Sequence, residues 1–385
     1  MSTVAAPVTR EFDIAVVGAG LVGTAIAYGL AKLGLRVALL DEDDRARRAS
    51  VANFSLIWVQ SKGLGMPEYS DWSRGAADLW AGFHAEIAEL TGIDTAFSQP
   101  GGFYLCLSDA ELDARANIMR RIVAQSGMKP LPYEMLDHEA VRRMLPAIGP
   151  QVAGACYSPL DGHCNSLRLF WALHSAFRKR GGSYVGNSRV ASIGVASDRS
   201  FRLDTAAGEI RAGKVVLTAG NDNGRLAAMV GLNAAVRPQR GQVLVTERVA
   251  PFLHYPTITV RQADEGSVML GDSIEENDTS LTVGTDVLAV MADRAMRMFP
   301  GLAHINIIRT WSGQRVMTQD GFPVYDQSTQ FPGAFVANCH SGVTLASRHV
   351  ETLAPLIAAS TLATKLPVFS RDGSHENCLT FRCQS

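Results

Sequence analysis

The chain has 385 residues, of which 47% are hydrophobic and 35 are glycine, a length typical of about two domains with a large core. Its formal net charge of −1 provides no electrostatic footprint for DNA, RNA or an anionic membrane, so we expect a small-molecule substrate and no nucleic acid partner. The six cysteines have no C-x-x-C spacing, which favours reduced thiols and predicts no metal site. The sequence shows neither a signal-peptide pattern nor an apolar run of membrane-spanning length, so we expect a cytoplasmic protein.

Residues 12–41 predict a strand, a glycine-rich turn, a helix and a second strand that ends in an acid. Gly18, Gly20 and Gly23 stand at G-x-G-x-x-G spacing, which permits a tight turn, close approach of a pyrophosphate and close packing of the helix on the sheet. Asp41 closes the second strand, where a carboxylate can accept hydrogen bonds from ribose hydroxyls. An ordinary glycine-containing turn is the alternative, but all four features together favour a dinucleotide site. The residues expected to bind the dinucleotide here are Gly18, Ala19, Gly20, Leu21, Val22, Gly23, Asp41 and Glu42.

The next informative segment is RRASVANFSLIW, residues 47–58. Its small residues and the amide of Asn53 are typical of a loop beneath a bound cofactor, where bulky side chains would clash. A surface turn with a helix cap at Ser50 is the alternative. Trp58, Gln60 and Lys62 follow, and they either line the pocket or, as is commoner for a tryptophan, pack in the core. The candidate cofactor contacts in this segment are Ala49, Ser50, Asn53, Ser55 and Leu56.

The remaining patterns predict two interleaved domains. Helical spacing over 75–92 and 109–127 flanks a strand at 101–107, and a helix from Ser166 to Arg180 precedes a buried strand at 215–217. Alternating patterns in 236–247 and 257–272 are typical of antiparallel strands. The last third of the chain returns to strand, glycine-containing turn and apolar helix.

We therefore predict an α/β (α+β) fold whose first domain is discontinuous. A Rossmann-type dinucleotide-binding domain would comprise residues 1–95, 146–235 and 305–365. A substrate domain of antiparallel sheet and helices would comprise residues 96–145 and 236–304. Residues 366–385 form a polar tail with two cysteines, to which we assign no role.

In this order, the motifs resemble the D-amino-acid oxidase family of flavoproteins, which includes glycine oxidase and sarcosine oxidase. The resemblance covers nearly the whole chain up to about residue 360. Within the family, NFSLIWVQSKG and the overall length are most similar to the β subunits of dye-linked opine and D-hydroxyproline dehydrogenases and to the flavoprotein subunit of hydrogen cyanide synthase. The matching segments are VVGAGLVG with Asp41, RASVANFS, VVLTAGN, RPQRGQ at 237–242, WSGQRVMTQDGFPVYD at 311–326 and NCHSGVTLA at 338–346.

The resemblance implies FAD, lying between a Rossmann-type domain and the substrate sheet. The cysteine that tethers FAD in monomeric sarcosine oxidase has no counterpart in WSGQRVMTQDG, so we expect noncovalent FAD. Arg315 stands where the glycine oxidase pattern has its carboxylate-binding arginine, and an arginine fork binds a carboxylate in a bidentate way. An ordinary surface or ion-paired arginine is the alternative. The further flavin contacts implied are Val190, Ala219, Gly220, Gly313, His340, Ser341, Gly342, Val343 and Thr344.

His340 is the second candidate catalytic residue. It is expected either to stack or hydrogen-bond near the flavin, or to be fixed structurally by backbone carbonyls. The helix that starts near Thr344 would direct its amides at flavin O2 and stabilise the anionic reduced ring. His163 is more typical of a residue that shapes a loop, and we assign no catalytic role to it.

The implied activity is oxidation of the C–N bond of a small amino or imino acid of the opine, D-hydroxyproline, sarcosine or glycine type. Hydride transfer to flavin N5 gives an imine that water hydrolyses, and a substrate bound with a neutral amine needs no dedicated general base. The most similar group works as catalytic β subunits of heteromeric dehydrogenases. By that analogy the partners are an α subunit and a small iron–sulfur subunit, with a second flavin (FMN) at the interface and peripheral contact with the inner membrane through the electron acceptor. The cysteine spacing here is not that of a ferredoxin, so a cluster would belong to another chain.

Three alternatives stay open at this point. A self-sufficient glycine or D-amino-acid oxidase would pass its electrons to oxygen and produce hydrogen peroxide. A noncatalytic FAD-binding subunit would hold the flavin structurally, which the presence of Arg315 disfavours. An NAD(P)-dependent dehydrogenase would share only the first motif, which the loop at 338–346 disfavours.

Overall fold

The computed structural model of the chain describes residues 10–43, 49–271, 273–276 and 279–370. Arg47 and Arg48 of the second cofactor segment, and the predicted tail beyond residue 370, lie outside the described residues. Strands and helices alternate, and the predicted α/β (α+β) class is confirmed. The strands are β1 (Arg10–Val17), β2 (Val37–Leu40), β3 (Leu56–Ile57), β4 (Gly102–Cys106), β5 (Glu134–Asp137), β6 (Gly154–Ser158), β7 (Gly162–His163), β8 (Ser183–Val185), β9 (Val190–Val195), β10 (Phe201–Thr205), β11 (Gly208–Leu217), β12 (Val236–Arg248), β13 (Val260–Gln262), β14 (Ser267–Leu270), β15 (Glu275–Glu276), β16 (Ile307–Thr318), β17 (Val324–Gln327) and β18 (Ala334–Asn338). The helices are α1 (Leu21–Lys32), α2 (Ala49–Ala52), α3 (Pro67–Thr91), α4 (Asp109–Val123), α5 (His138–Met144), α6 (Ser166–Lys179), α7 (Asn223–Ala228), α8 (Thr285–Met298), α9 (Ala346–Arg348), α10 (Ala354–Ala358) and α11 (Leu362–Lys365), with a π-helical turn, His349–Leu353, between α9 and α10.

The first sheet has parallel strands at its centre. β1 lies between β11 and β2, and β18 and β8 continue the parallel set on the two sides. β17, β10 and β9 add antiparallel strands. β2 and β18 are buried along their whole length, as expected for parallel strands that are covered on both faces. The carboxyl ends of β1, β2, β11 and β18 therefore meet at one edge, where α/β sheets of this type bind their ligands.

Helices cover the first sheet. α1, α3, α6 and the helical run from α9 to α10 share one apolar cluster with it, and α7, β9 and β10 share another. Gly29 lets α1 approach the α9–α10 run closely, because a Cβ there would lie 2.6 Å from the Cβ of Ala354. None of the helices in the described ranges combines the length and apolarity needed to cross a bilayer.

The second sheet is antiparallel. β12 pairs with β16 on one side and with β14 and β15 on the other, and β13 lies beyond β14. α8 and the three-stranded sheet β4–β6–β5 share an apolar cluster with it. The domain boundaries stay a prediction. On that division β16 belongs to the third cofactor-binding piece, although its hydrogen bonds attach it to the second sheet.

Candidate flavin and substrate site

The glycine turn joins β1 to α1 at the carboxyl edge of the first sheet. Gly18 has a φ of +101°, which L side chains rarely adopt, and a Cβ there would collide with the backbone of Thr218. A Cβ on Gly23 would collide with the carbonyl oxygen of Gly18, so α1 packs directly on the turn. A Cβ on Gly20 would lie 2.8 Å from the Ser50 hydroxyl oxygen. The turn therefore has no room for a side chain at these three positions. The first amides of α1 have no acceptors within the helix.

Asp41 holds this turn against β2. The residue is 7% exposed, and its Oδ2 accepts a hydrogen bond of 2.6 Å from the amide of Ala19. Its Oδ1 accepts one of 3.2 Å from the amide of Asp43. The carboxylate therefore orients the turn directly, while its contact with a ribose stays a prediction.

Three residues outside the predicted cofactor contacts brace the turn. Thr218 donates from its hydroxyl to the carbonyl oxygens of Val17 and Gly18, at 2.9 and 2.8 Å. Thr24 donates to the carbonyl of Ala19 at 3.0 Å, and the Nε2 of buried His174 lies 3.1 Å from the same oxygen. His174 comes from α6, so only long-range packing reveals its role.

The predicted second cofactor segment lies beside the turn. Ser50 in α2 accepts a hydrogen bond of 2.9 Å from the amide of Leu21, which links α2 to the start of α1. Asn53 accepts from the amide of Ser55 at 2.7 Å, and Ser55 adopts a φ of +67°. A non-glycine residue in this region needs support from its surroundings, and the Ser55 hydroxyl donates to Ser166 at 2.6 Å.

The loop at 340–344 closes the site from the other side. A Cβ on Gly342 would lie 3.5 Å from the side chain of Val22, so the loop contacts the first turn of α1. The Thr344 hydroxyl accepts from the amide of Trp58 at 3.1 Å and donates to the carbonyl of Leu56 at 3.3 Å. Val343 is buried. A helical turn begins at Gly342, and the α-helical residues start at Ala346, slightly later than predicted.

The second sheet reaches the site through β16. A Cβ on Gly313 would lie 2.5 Å from the Cβ of Ala52 in α2, and the indole of Trp311 donates to the carbonyl of Ala52 at 3.1 Å. β16 therefore runs against the second cofactor segment. This contact brings Arg315, two residues beyond Gly313, to the boundary between the two sheets.

Four further predicted contacts lie along the first sheet, after β2, at the start of β9 and after β11. Glu42 is exposed and lies 3.6 Å from Arg189, which directly precedes Val190. Ala219 and Gly220 follow β11 directly, and the Ala219 amide donates to the Asn223 side chain at 2.7 Å. Glu42 and the pair Ala219 and Gly220 follow the two strands that flank β1, and the cofactor contacts of all four residues stay predictions.

Arg315 is half-buried on β16, opposite Gln239 of β12. Its Nη1 donates to the carbonyl of Ser273 at 2.8 Å and lies 3.4 Å from the carbonyl of Arg240. A Cβ on Gly241 would fall 2.5 Å from the guanidinium, so glycine at this position makes room for Arg315. Backbone oxygens of the second sheet therefore fix the direction in which the guanidinium points.

His340 contacts one cation and lies within the electrostatic influence of a second. Its Nε2 is 3.2 Å from the ammonium nitrogen of Lys62, which donates to the Ser341 hydroxyl at 2.9 Å. Tyr69 approaches the same hydroxyl at 2.9 Å. Burial, followed by the charges of Lys62 and Arg315, lowers the pKa of His340 well below its usual value. The imidazole is therefore neutral at physiological pH, and it contacts both the Lys62 ammonium and the backbone of Gly321, the second of these as in the backbone-fixed alternative considered from the sequence.

A buried acid fixes the segment that carries Lys62. Asp161 accepts hydrogen bonds from the amide of Val59 at 2.6 Å and from the amide and side chain of Gln60 at 3.3 and 2.6 Å. Buried Arg115 donates to the carbonyl and the side chain of Gln60 at 3.0 and 2.9 Å. Burial raises the pKa of Asp161 to about 7, against the lowering effect of these donors. The sequence analysis named Gln60 and missed Asp161.

We expect the Asp161→Ala variant to lose about 2–5 kcal/mol of unfolding free energy, because three buried donors lose their acceptor. The folded protein binds the Asp161 proton more tightly than the unfolded chain does. The stabilisation that this proton gives to the folded state is therefore fully present below pH 3.8 and is lost as the pH rises through about 7. Thermal unfolding of both proteins at several pH values measures the difference. The exposed Asp113→Ala is the control, and an equal cost for both variants would contradict the assignment.

A second site is a cavity of about 380 Å³ lined by residues of β7 and β13 and by the segment 251–254. Arg261 lines it, is 4% exposed and donates to the carbonyl of Phe54 at 2.7 Å. Burial lowers the pKa of Arg261 to about 10, and burial together with the charge of Arg261 lowers the pKa of His163 to about 3. The Nδ1 of His163 is buried without a hydrogen-bond partner in the described part of the chain. His163 thus faces a cavity, rather than only shaping a loop.

The first site has the features that FAD requires. Three glycines clear the approach to the backbone at the start of α1, and Ser50, Asp41 and Thr218 hold that backbone in place. The loop at 340–344, α2 and β16 converge beside it. Phosphates would face the α1 amides, and the flavin ring would lie toward the second sheet.

Comparison with known proteins points in the same direction. The family model described as FAD dependent oxidoreductase (DAO) matches residues 13–356. The B subunit of opine oxidase from Agrobacterium tumefaciens (strain Ach5) is 43% identical over 365 residues, which cover 95% of this chain and 98% of that protein. Its counterpart from Rhizobium meliloti is 42% identical over 360 residues, which cover 94% and 97% of the two chains. The crystal structure of glycine oxidase from Geobacillus kaustophilus superposes with a TM-score of 0.83 at 25% identity and covers 94% of this chain and 98% of that chain.

Proposed function

Because the chain belongs to the D-amino-acid oxidase (DAO) family of FAD-dependent oxidoreductases, we propose that it oxidises the C–N bond of a small amino or imino acid. The FAD cofactor and the family expected from the motifs are confirmed, which excludes a nicotinamide-dependent dehydrogenase. Opine-type substrates are the class that we favour, since two relatives above 40% identity are opine oxidase subunits. D-hydroxyproline, sarcosine and glycine are the other members of the proposed substrate set.

The position of Arg315 carries this proposal. Its guanidinium lies at the boundary between the cofactor segment and the second sheet, close enough to His340 to lower the pKa of that imidazole. A guanidinium has five donors in a planar fork, which matches the two oxygens of a substrate carboxylate. Binding the carboxylate there orients the neighbouring carbon toward the space between the sheet and the loop at 340–344.

When bound, FAD supplies the two-electron chemistry, accepting at N5 the hydride that leaves the substrate carbon next to nitrogen. Arg315 binds the carboxylate, and the neutral amine form of the substrate is favoured because an ammonium group loses solvation on entering an apolar pocket. His340, being neutral, accepts a hydrogen bond from Lys62 and adds no positive charge. Water then hydrolyses the imine product to a carbonyl compound and an amine.

We also propose that the chain acts as the catalytic β subunit of a heteromeric dehydrogenase, with an α subunit and a small iron–sulfur subunit as partners. The names of the two opine oxidase relatives, and that of the β subunit of sarcosine oxidase from Rhizobium meliloti (strain 1021), support a multi-subunit assembly. Electrons would then leave toward a partner chain rather than directly to oxygen.

The cavity at the second site supports an additional flavin, FMN, at an interface of this chain. Arg261 is a buried cation with no acid within ion-pair distance in the described ranges, and a phosphate group satisfies such a guanidinium. The unpaired Nδ1 of His163 offers a second polar contact. Acid extraction of the purified complex tests this idea by the ratio of FMN to FAD that is released.

The decisive experiment follows the absorbance of the FAD-loaded full chain anaerobically while opines and imino acids are added. We expect the flavin band to bleach and to stay bleached in air until a dye is supplied, as in a dehydrogenase subunit. Rapid recovery in air would favour the self-sufficient oxidase that releases hydrogen peroxide. No bleaching with any candidate, either alone or with the partner subunits, would overturn the proposal in favour of a noncatalytic FAD-binding subunit.

A further inference from the structure

Lys62 is a second cation in the proposed substrate site. It is half-buried in the segment that follows β3, and among the described residues its ammonium contacts only neutral groups, which are His340, the Ser341 hydroxyl and the ring of Tyr69. No carboxylate within the described ranges lies at ion-pair distance from it. Partial removal from water weakens the solvation of the Lys62 charge, so a ligand anion at this place would be favourable.

Lys62 and Arg315 both lie near His340, since the Lys62 ammonium is 3.2 Å from its Nε2 and the charge of Arg315 acts on the same imidazole. His340 cannot neutralise Lys62, because an imidazole that is held unprotonated carries no charge and can only accept a hydrogen bond. An α-amino acid whose single carboxylate binds Arg315, as proposed above, would leave Lys62 without an anion. A secondary amine that carries a carboxylate on each of its two carbon branches would supply one anion for each cation.

We propose that Lys62 binds the second carboxylate of an N-(carboxyalkyl)amino acid whose first carboxylate is bound by Arg315. This assignment rests on the proposed function and narrows its substrate class to secondary amines with two carboxylates. The Ser341 hydroxyl accepts a hydrogen bond from the ammonium and is itself hydrogen-bonded to Tyr69, and these contacts hold the ammonium at this position. Asp161 holds the backbone of the same segment through Val59 and Gln60. Lys62 is in this way a specificity-determining residue, with no part in the transfer of the hydride.

The test uses two substrates that differ in a single group. N-(1-carboxyethyl)alanine carries two carboxylates, and N-isopropylalanine has a methyl group in place of the second one. Anaerobic bleaching of the full-length, FAD-loaded protein gives the half-saturating concentration and the limiting rate for each. For Lys62→Met we expect the half-saturating concentration of the dicarboxylate to rise about 10- to 100-fold, because one charge-assisted hydrogen bond to the substrate is lost. The limiting rate should change little. The values for N-isopropylalanine should be unchanged.

Two further variants sharpen the outcome. Lys62→Arg retains a cation and should restore most of the dicarboxylate affinity, whereas the exposed Lys365→Met should behave as the wild type. An equal loss on both substrates, or a lower limiting rate with both, would overturn the assignment and place Lys62 against the cofactor. Absence of bleaching with either substrate in the wild type would instead refute the proposed function and this assignment with it.

Discussion

Replacing Gly20 by valine is expected to give a folded protein that retains no FAD. The side chain would project into the opening at the start of α1, where a Cβ already lies 2.8 Å from the Ser50 hydroxyl oxygen. Its methyl groups would occupy the space through which a pyrophosphate approaches the backbone. The backbone of Gly20 has a φ of −69°, so valine is conformationally allowed and folding should survive. The purified variant should lack the flavin band while its circular dichroism spectrum matches that of the wild type.

The matched control is Gly82→Val. Gly82 lies on the exposed face of α3, and a Cβ there meets no atom within 4 Å. This variant introduces the same side chain without touching the turn, so it should remain yellow and fully loaded. A yellow, stoichiometrically loaded Gly20→Val protein would contradict our assignment of the cofactor turn.

The second large effect is expected for Arg315→Leu. Loss of the carboxylate-binding guanidinium should cost about 3–4 kcal/mol in the transition state, which corresponds to a fall in kcat/KM of about 100- to 1,000-fold. The substitution should not release FAD, because Arg315 is held by the carbonyls of Ser273 and Arg240 in the second sheet. Steady-state kinetics with a dye as acceptor, together with the absorbance of the flavin, measure the two quantities separately.

Two other variants define what the loss means. Arg315→Lys keeps the charge without the planar fork and should fall between wild type and Arg315→Leu. Arg309→Leu removes an exposed arginine from the same strand and should leave kcat/KM unchanged. Unchanged turnover in Arg315→Leu would refute its carboxylate role and favour a noncatalytic flavoprotein.

The local part of the fold could be predicted from the sequence. The unit from β1 to β2 is a continuous stretch in which strand, turn, helix and acid are neighbours in the chain, and the three glycines occupy the places that this spacing requires. The helix predicted from Ser166 and the long strand at 236–248 are also present. Such elements follow from periodicity and turn residues, which act over a few positions.

The contacts that complete the site join distant parts of the chain, and no local pattern specifies them. His174 reaches the glycine turn across 155 positions, and Lys62 meets His340 across 278. The attachment of β16 to the second sheet is set by its long pairing with β12, which sequence order alone did not reveal. Asp161 stayed unnoticed for the same reason, because a single acid in a loop carries no signal until its three donors are known.

The loop at 340–344 comes from the last strand of the first sheet, yet it packs on the first turn of α1. During synthesis on the ribosome, the amino-terminal glycine turn therefore emerges long before the residues that enclose it. FAD loading is thus expected to begin only after the loop at 340–344 has been translated. Once loaded, the cofactor would link this loop to the glycine turn, and its binding energy would add to the stability of the native state.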